Sequence, residues 1–139
     1  MTRKITLAAA LAAFAVLPTG VAQAQDAAAG EKTFRKCASC HSLEAGKRKV
    51  GPSLYGVIGR TAATTEGYKY SSPLTAAGEA GLVWDADNMA VYLADTNAFL
   101  KAYLEEKGVS AKGRSKMSFK LTKPEEQQNV IAYIESVAK

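Results

Sequence analysis

Both Cys residues and the only His of the chain lie in one short stretch, Cys37-Ala38-Ser39-Cys40-His41. This clustering limits what can stabilise a fold of 139 residues. Two Cys cannot build the framework of disulfides that holds small secreted domains together. A structural zinc site made of Cys and His needs more ligands than these residues supply.

The spacing C-x-x-C-H is the attachment signature of c-type haem. Each thiol can add to one vinyl group of the porphyrin, and His41 would then lie under the iron as its proximal ligand. Two alternatives stay open on the residues alone. One is a thiol–disulfide oxidoreductase, whose C-x-x-C accompanies a βαβ pattern that we do not find here, and the other is a coincidental motif. We predict one haem c, bound covalently through Cys37 and Cys40.

The second axial ligand of the iron decides between an electron carrier and a haem enzyme. Because the chain has no second His, the thioether of a Met is the candidate, and a Met/His pair raises the reduction potential. Met117 lies in a polar loop, whereas Met89 falls on a predicted helix beside other apolar residues. We therefore predict Met117 as the ligand and Met89 as a core residue. If neither binds, an open iron would permit ligand binding or peroxidase-like chemistry.

Residues 1–24 are predicted to be a cleaved secretory signal peptide. Arg3 and Lys4 precede an apolar run of 13 residues, and Ala22-Gln23-Ala24 offers the small residues that a signal peptidase recognises. The alternative, a retained membrane anchor, needs about 20 apolar residues. Cleavage would remove 24 of the 139 residues, leave a domain at 25–139 and lower the net charge from +5 to +3. We expect this domain to be soluble in a bacterial periplasm.

The rest of the sequence predicts an all-α fold, because apolar residues recur at helical spacing and no strand pattern alternates. Asp26 is a predicted N-cap, as is Asp85 or Asp87. Thr122 and Glu125 predict a capping box for the last helix, with Pro124 in its first turn. Gly and Pro predict loops over most of residues 42–80, and residues 110–120 are also loop-like. The predicted helices are 27–37, a short one at 54–58, one that carries Met89, Tyr92 and Leu93, one at 97–107, and a last one with an apolar stripe of Val130, Ile131, Ile134, Val137 and Ala138.

With these motifs the sequence resembles the class I cytochromes c, and most of all the bacterial cytochrome c2 group. The resemblance implies the small cytochrome c fold around one haem, with the first and last helices crossing at Gly30, Phe34 and Tyr133. It rests on the haem motif and on Gly51-Pro52-Ser53-Leu54-Tyr55-Gly56, Gly59-Arg60, Gly67-Tyr68-Lys69-Tyr70-Ser71, Trp84, Tyr92 and Lys116-Met117-Ser118-Phe119.

The resemblance also implies roles for side chains around the haem. The Pro52 carbonyl should accept the N–H of His41, a contact that orients the ring and raises its basicity. Arg60, Tyr70 and Trp84 should lie at a haem propionate, and the Tyr92 hydroxyl should reach toward the Met117 sulfur. The residues alone also permit a plainer interpretation. In it the three aromatic residues are core side chains whose polar tips need any partner, Gly51-Pro52 is only a turn and Arg60 is a surface charge.

In function, the resemblance implies a monomeric one-electron carrier and not an enzyme. A cytochrome bc1 complex would be the donor, and a photosynthetic reaction centre or a terminal cytochrome oxidase the acceptor. Lysines near the Cys motif or Met117 would steer an acidic docking surface, unless they are simply a solvated basic face. Nucleic-acid binding is not expected at this low charge. The lysines are Lys32, Lys36, Lys47, Lys49, Lys112, Lys116, Lys120 and Lys123, and Glu105, Glu106, Glu125 and Glu126 are expected elsewhere.

Overall fold

The structure is a computed structural model that describes residues 26–139, so the predicted signal peptide lies outside the described residues. The chain from residue 26 onward forms five helices: α1 (Ala27–Phe34), α2 (Ser72–Glu79), α3 (Ala86–Ala94), α4 (Thr96–Glu106) and α5 (Pro124–Val137). The one β-type pairing in this range is an isolated antiparallel bridge between Thr61 and Val83. None of these helices has the length and apolar character needed to cross a membrane. The all-α prediction is confirmed.

α1 crosses α5 with the two backbones in direct contact. A Cβ on Gly30 would lie 2.0 Å from the carbonyl oxygen of Asn129, so only Gly fits at this point. The rings of Phe34 and Tyr133 pack at the same crossing, with centroids 5.7 Å apart. The predicted helix crossing is therefore present in the structure.

Aspartate side chains begin three of the helices. Asp26 accepts hydrogen bonds from the first amides of α1, as predicted. Asp85, not Asp87, caps α3 and forms a reciprocal capping box with Asn88. Asp95 ends α3 and caps α4, so one residue sets the corner between these helices.

α5 begins without the predicted capping box, which is a correction to the sequence analysis. Its N-cap residue is Lys123, and the side chain of Lys123 makes no capping hydrogen bond. The reason is Pro124, because a proline disfavours a helical conformation in the residue before it. Lys123 is accordingly extended, at φ −85° and ψ 117°. Thr122 lies one residue too early to cap the helix.

One predicted helix is too long and another is absent from the structure. α1 stops at Phe34 and the chain continues to residue 40 in turns. The segment 54–58 forms turns instead of a helix. Gly56 (φ +61°) and Gly59 (φ +84°) both adopt left-handed backbone conformations, which break a right-handed helix.

α2 is not predicted from the sequence, since Gly-rich loops are expected there. The helix begins at Ser72 with Pro73 in its first turn. Gly78 near its end is needed for packing, because a Cβ there would lie 2.1 Å from the carbonyl oxygen of Ala62. A proline followed by Leu74 and small residues was the signal that could have revealed this helix.

Candidate haem-binding site

The Cys motif follows α1 in a compact turn. The amides of Cys40 and His41 both donate to the carbonyl of Cys37, at 3.0 and 2.9 Å. Both thiols are free; Cys37 is half-buried and Cys40 is exposed. Burial raises the pKa of the Cys37 thiol, and the charge of Lys36 opposes this rise. The two thiols are thus unpaired and available on one turn.

The imidazole of His41 is held from two sides. Its Nδ1 lies 2.8 Å from the carbonyl oxygen of Pro52. Because a carbonyl can only accept, Nδ1 carries the proton and Nε2 keeps its lone pair. Gly51 lies against the ring, since a Cβ there would be 2.5 Å from Cε1 of His41. Burial lowers the pKa of His41, which favours the neutral ring that can bind a metal.

The Met117 segment is attached to the start of α4. The hydroxyl of Thr96 donates to the Met117 carbonyl at 2.8 Å. The amide of Met117 donates to Oγ of Ser115 at 3.1 Å, and the amide of Ser115 donates to Oδ1 of Asn97 at 2.9 Å. The Met117 side chain is half-buried against the core, whereas Met89 is buried on α3 within it.

Sequence reasoning missed Thr96, Asn97 and Ser115 as anchors of this segment. Thr96 is 21 residues from Met117, so no local pattern connects them. A buried polar side chain at the start of a helix was the available signal, although the sequence does not show burial.

The predicted aromatic residues surround the same region. Trp84 and Tyr92 are buried, with ring centroids 4.9 Å apart. The Tyr92 hydroxyl lies 3.4 Å from Oγ of Ser115, two residues before Met117, and burial raises the pKa of Tyr92. Tyr70 is half-buried and packs edge-on against Tyr68, at 4.7 Å between centroids.

Arg60 is a fixed, half-buried side chain. Its guanidinium donates to the carbonyls of Tyr55 at 2.9 Å and Ser53 at 3.3 Å. Its own carbonyl accepts from the Trp84 amide at 2.9 Å. The bond from the Trp84 amide holds the two backbones side by side, while the guanidinium is fixed at the carbonyls of Ser53 and Tyr55.

Two buried hydroxyls test whether these residues fit a haem. Ser71 Oγ and Thr65 Oγ1 are buried and lack a hydrogen-bond partner among residues 26–139. A buried hydroxyl without a partner costs about 1–3 kcal/mol, so a polar ligand group is expected nearby. Both hydroxyls belong to the segment that carries Tyr70 and follows Arg60. Together with the free thiols and the free Nε2 of His41, they fit a porphyrin with acidic side groups.

The lysines near the Cys motif are partly paired. Glu126 binds Lys36 at 2.6 Å and Lys123 at 3.3 Å. The expectation that Glu126 lies away from the lysines is therefore wrong. The crossing of α1 and α5 causes this, because it brings the start of α5 beside the residues that follow α1.

Other lysines hold loops together. Lys49 donates to the carbonyl of Ala38 at 2.5 Å, and Lys116 donates to the carbonyl of Lys69. Lys47 pairs with Glu44 at 2.7 Å and Lys120 with Asp95 at 2.5 Å. These contacts leave all four side chains exposed to solvent at the loop surfaces.

An all-α chain with a C-x-x-C-H turn, free thiols and an oriented imidazole defines a c-type haem protein. The cytochrome c family profile matches residues 27–138. Cytochrome c2 of Rhodopseudomonas palustris (strain ATCC BAA-98 / CGA009) is 47% identical over 137 residues, which cover 96% of this chain and 97% of that protein. The structure of ferricytochrome c2 from Rhodopseudomonas palustris aligns with a TM-score of 0.76 at 50% identity, over 81% of this chain and 98% of that one. The structure of cytochrome c2 from Rhodospirillum centenum aligns with a TM-score of 0.78 at 45% identity, over 82% and 99%.

The chain belongs to the cytochrome c family. Its similarity to cytochromes c2 confirms the predicted resemblance and the fold. Family membership also means that the chain carries one haem c, bound covalently through Cys37 and Cys40, and that it transfers electrons and is not an enzyme. The alternative of a thiol–disulfide oxidoreductase is thereby removed.

Proposed function

We propose that the chain shuttles single electrons between membrane-bound redox complexes, with His41 and Met117 as the axial ligands of its iron. The observation that carries the proposal is the orientation of His41. The Pro52 carbonyl accepts the hydrogen bond from Nδ1 of His41, and Gly51 lies directly against the ring. The direction of Nε2 is therefore fixed. When bound, the haem supplies the redox chemistry by taking up and releasing one electron at its iron.

The protein's part is to keep both ligands in place in both oxidation states. His41 is held by a backbone carbonyl, and the Met117 backbone is held at both its amide and its carbonyl. Ligands held in this way would keep similar positions before and after electron transfer. With a His imidazole and a Met thioether as ligands, the iron would have a raised reduction potential, which suits a carrier that accepts electrons readily.

Arg60, Tyr70, Trp84 and Tyr92 complete the proposed site. Arg60 would place a positive charge near a propionate, and Tyr70 and Trp84 would donate hydrogen bonds to it. The unpartnered hydroxyl of Ser71 supports an acidic group in this place. Tyr92 would lie on the Met117 side of the haem with its hydroxyl directed toward the Met117 sulfur, since this hydroxyl contacts Ser115.

The lysines around the Cys motif and Met117 would dock the carrier on acidic partner surfaces. Electrostatic steering of this kind raises association rates and weakens with salt. The proposed donor is a cytochrome bc1 complex, and the acceptor is a photosynthetic reaction centre or a terminal cytochrome oxidase. The carrier would work as a monomer in the periplasm, as residues 25–139, after loss of the signal peptide at 1–24.

Spectroscopy of the protein matured in a bacterial periplasm tests the ligand set. We expect a low-spin spectrum with a sulfur-to-iron charge-transfer band in the ferric form. We also expect the ferrous spectrum at neutral pH to be unchanged by carbon monoxide. Rapid carbon monoxide binding would contradict the proposal and point to an open-site haem enzyme or gas-binding protein.

A further inference from the structure

The first turn of α4 makes the polar contacts that fix the backbone on both sides of Met117. Thr96, the first residue of α4, donates to the Met117 carbonyl at 2.8 Å. Asn97, the second, accepts from the Ser115 amide at 2.9 Å. The hydroxyl of Ser115 in turn accepts from the Met117 amide at 3.1 Å.

The loop that carries Met117 has little else to hold it. Between Val109, whose amide donates to Leu104, and Leu121, whose amide donates to Leu93, no backbone–backbone hydrogen bond forms in this described stretch. Phe119 and most other side chains of the stretch are exposed. The position of the loop therefore depends on a few side-chain hydrogen bonds, and two of these come from α4.

We propose that Thr96 and Asn97 are positioning residues that fix the Met117 thioether at the iron. The inference rests on the proposed function, in which Met117 is an axial ligand. Both peptide groups that flank the Cα of Met117 are engaged, one through its amide and the other through its carbonyl. Because these two planes set φ and ψ of Met117, they also set the direction in which its side chain leaves the backbone.

The burial of Thr96 makes its contribution hard to replace. Thr96 is only 2% exposed, so a group that replaces its hydroxyl faces the Met117 carbonyl from inside the protein. A carbonyl that loses its hydrogen-bond partner on that side is destabilised, and the loop can relieve this cost by moving away. Such a movement pulls the sulfur from the iron and admits other ligands.

The test is competition between Met117 and imidazole in the ferric holoprotein. We expect Thr96→Val to weaken the sulfur-to-iron band and to raise the apparent affinity for imidazole by about tenfold. Thr96→Ser keeps the hydroxyl, so its band and affinity should stay close to wild type. The same substitution in α1, Thr33→Val, is the matched control. Thr33 is 8% exposed and donates within its own helix to Ala29 at 3.2 Å, away from the Met117 loop.

A second pair of variants covers the case in which Thr96→Val does not fold. Asn97 is only half-buried, so substitution is tolerated more easily there. Asn97→Ala removes the acceptor for Ser115 and should raise imidazole affinity, whereas Asn97→Asp retains an acceptor oxygen and should not.

Two failures can be told apart. If Thr96→Val matches Thr33→Val, or if Asn97→Ala matches wild type, in band intensity and imidazole affinity, the positioning role is overturned while Met117 ligation stands. If the wild-type protein itself lacks the sulfur-to-iron band, the proposed ligand set fails, and this inference fails with it.

Discussion

Gly51 lies so close to His41 that a Cβ on it would stand 2.5 Å from Cε1 and 2.9 Å from Nδ1 of the ring. The ring cannot easily turn away, because Nδ1 is bound to the Pro52 carbonyl. Gly51 thus leaves just enough space for the imidazole, and a larger residue would contact the ring.

We expect Gly51→Ala to push the ring away from the Pro52 carbonyl. Overpacking of this kind costs about 1–3 kcal/mol in the free energy of unfolding. Denaturant unfolding and redox titration of the holoprotein should show lower stability together with a changed potential. Val50→Ala is the control, since Val50 is exposed next to Gly51. Wild-type values for Gly51→Ala would show that the ring has room to move.

Truncation of the two candidate methionines to Ala should affect different properties of the protein. Met117→Ala should abolish the sulfur-to-iron band, lower the potential and allow carbon monoxide to bind the ferrous protein. Met89→Ala should leave the band in place and reduce stability by about 2–5 kcal/mol, because it leaves a cavity in the core beside α3. Loss of the band in the Met89 variant alone would reverse the ligand assignment.

Gly30→Ala should destabilise the protein, although Ala favours a helix more than Gly does. In an exposed helix the change would stabilise by about 1 kcal/mol. Here the new Cβ would meet the Asn129 carbonyl at 2.0 Å, so we expect a loss of about 1–3 kcal/mol measured by thermal or denaturant unfolding. Ala28→Gly, at an exposed position of the same helix, should lose only the propensity difference. A stabilised Gly30→Ala protein would mean that the helices can separate without cost.

Asp95 should make stability depend on pH in acid. The hydrogen bond from Lys120, followed by that from the Ala98 amide, holds the pKa of Asp95 below its ordinary value. The unfolded chain has a pKa of about 3.9 at this group, so the stabilisation is complete above that pH. It is lost as the pH falls through the lower pKa of the folded state.

Asp95→Asn removes the charge while keeping a side chain that can cap α4. We expect the variant to unfold at lower denaturant than wild type at pH 7, and the difference to shrink as the pH falls below about 3.9. Glu135→Gln on the exposed face of α5 controls for the loss of one negative charge. A difference that stays constant with pH would assign the effect to shape and not to charge.

Glu126 should restrain docking, because it binds Lys36 and Lys123 beside the Cys motif. Glu126→Gln frees both lysines, so association with the proposed partner, a cytochrome bc1 complex, should be about twofold faster at low ionic strength and unchanged at high salt. Stopped-flow kinetics across a salt series measures this. Glu105→Gln makes the same change of charge at the end of α4 and should have a smaller effect. Equal effects of the two variants would show that only net charge matters.

The haem motif and the helix ends capped by Asp were predictable, because their signals are local. Asp26 and Asp85 each cap amides within three residues. The start of α5 is also set by neighbouring residues. There Pro124 keeps the residue before it extended, so Thr122 does not cap the helix. The helix at 72–79 was missed because Gly78 serves a packing contact with Ala62, and the sequence shows only a residue that disfavours helices.

The long-range contacts around the site were not predictable in the same way. Thr96 and Met117, or Lys36 and Glu126, meet only after the helices have packed, and 21 and 90 residues separate them. Neither pair has a periodicity or a motif. The sequence therefore indicates the groups that are proposed to bind haem and, through the family resemblance, the Pro52 carbonyl that orients His41. It does not indicate the side chains that hold the Met117 segment.

Among the described helices α1 packs only on α5. Asp26 and Asn129, joined at 2.9 Å, are 103 residues apart. A growing polypeptide that has reached residue 123 thus lacks the one described helix against which α1 packs. Closing so long a loop costs conformational entropy, which is offset only by the contacts of the completed crossing. α1 and α5 can therefore cross only after residues 124–137 have been synthesised.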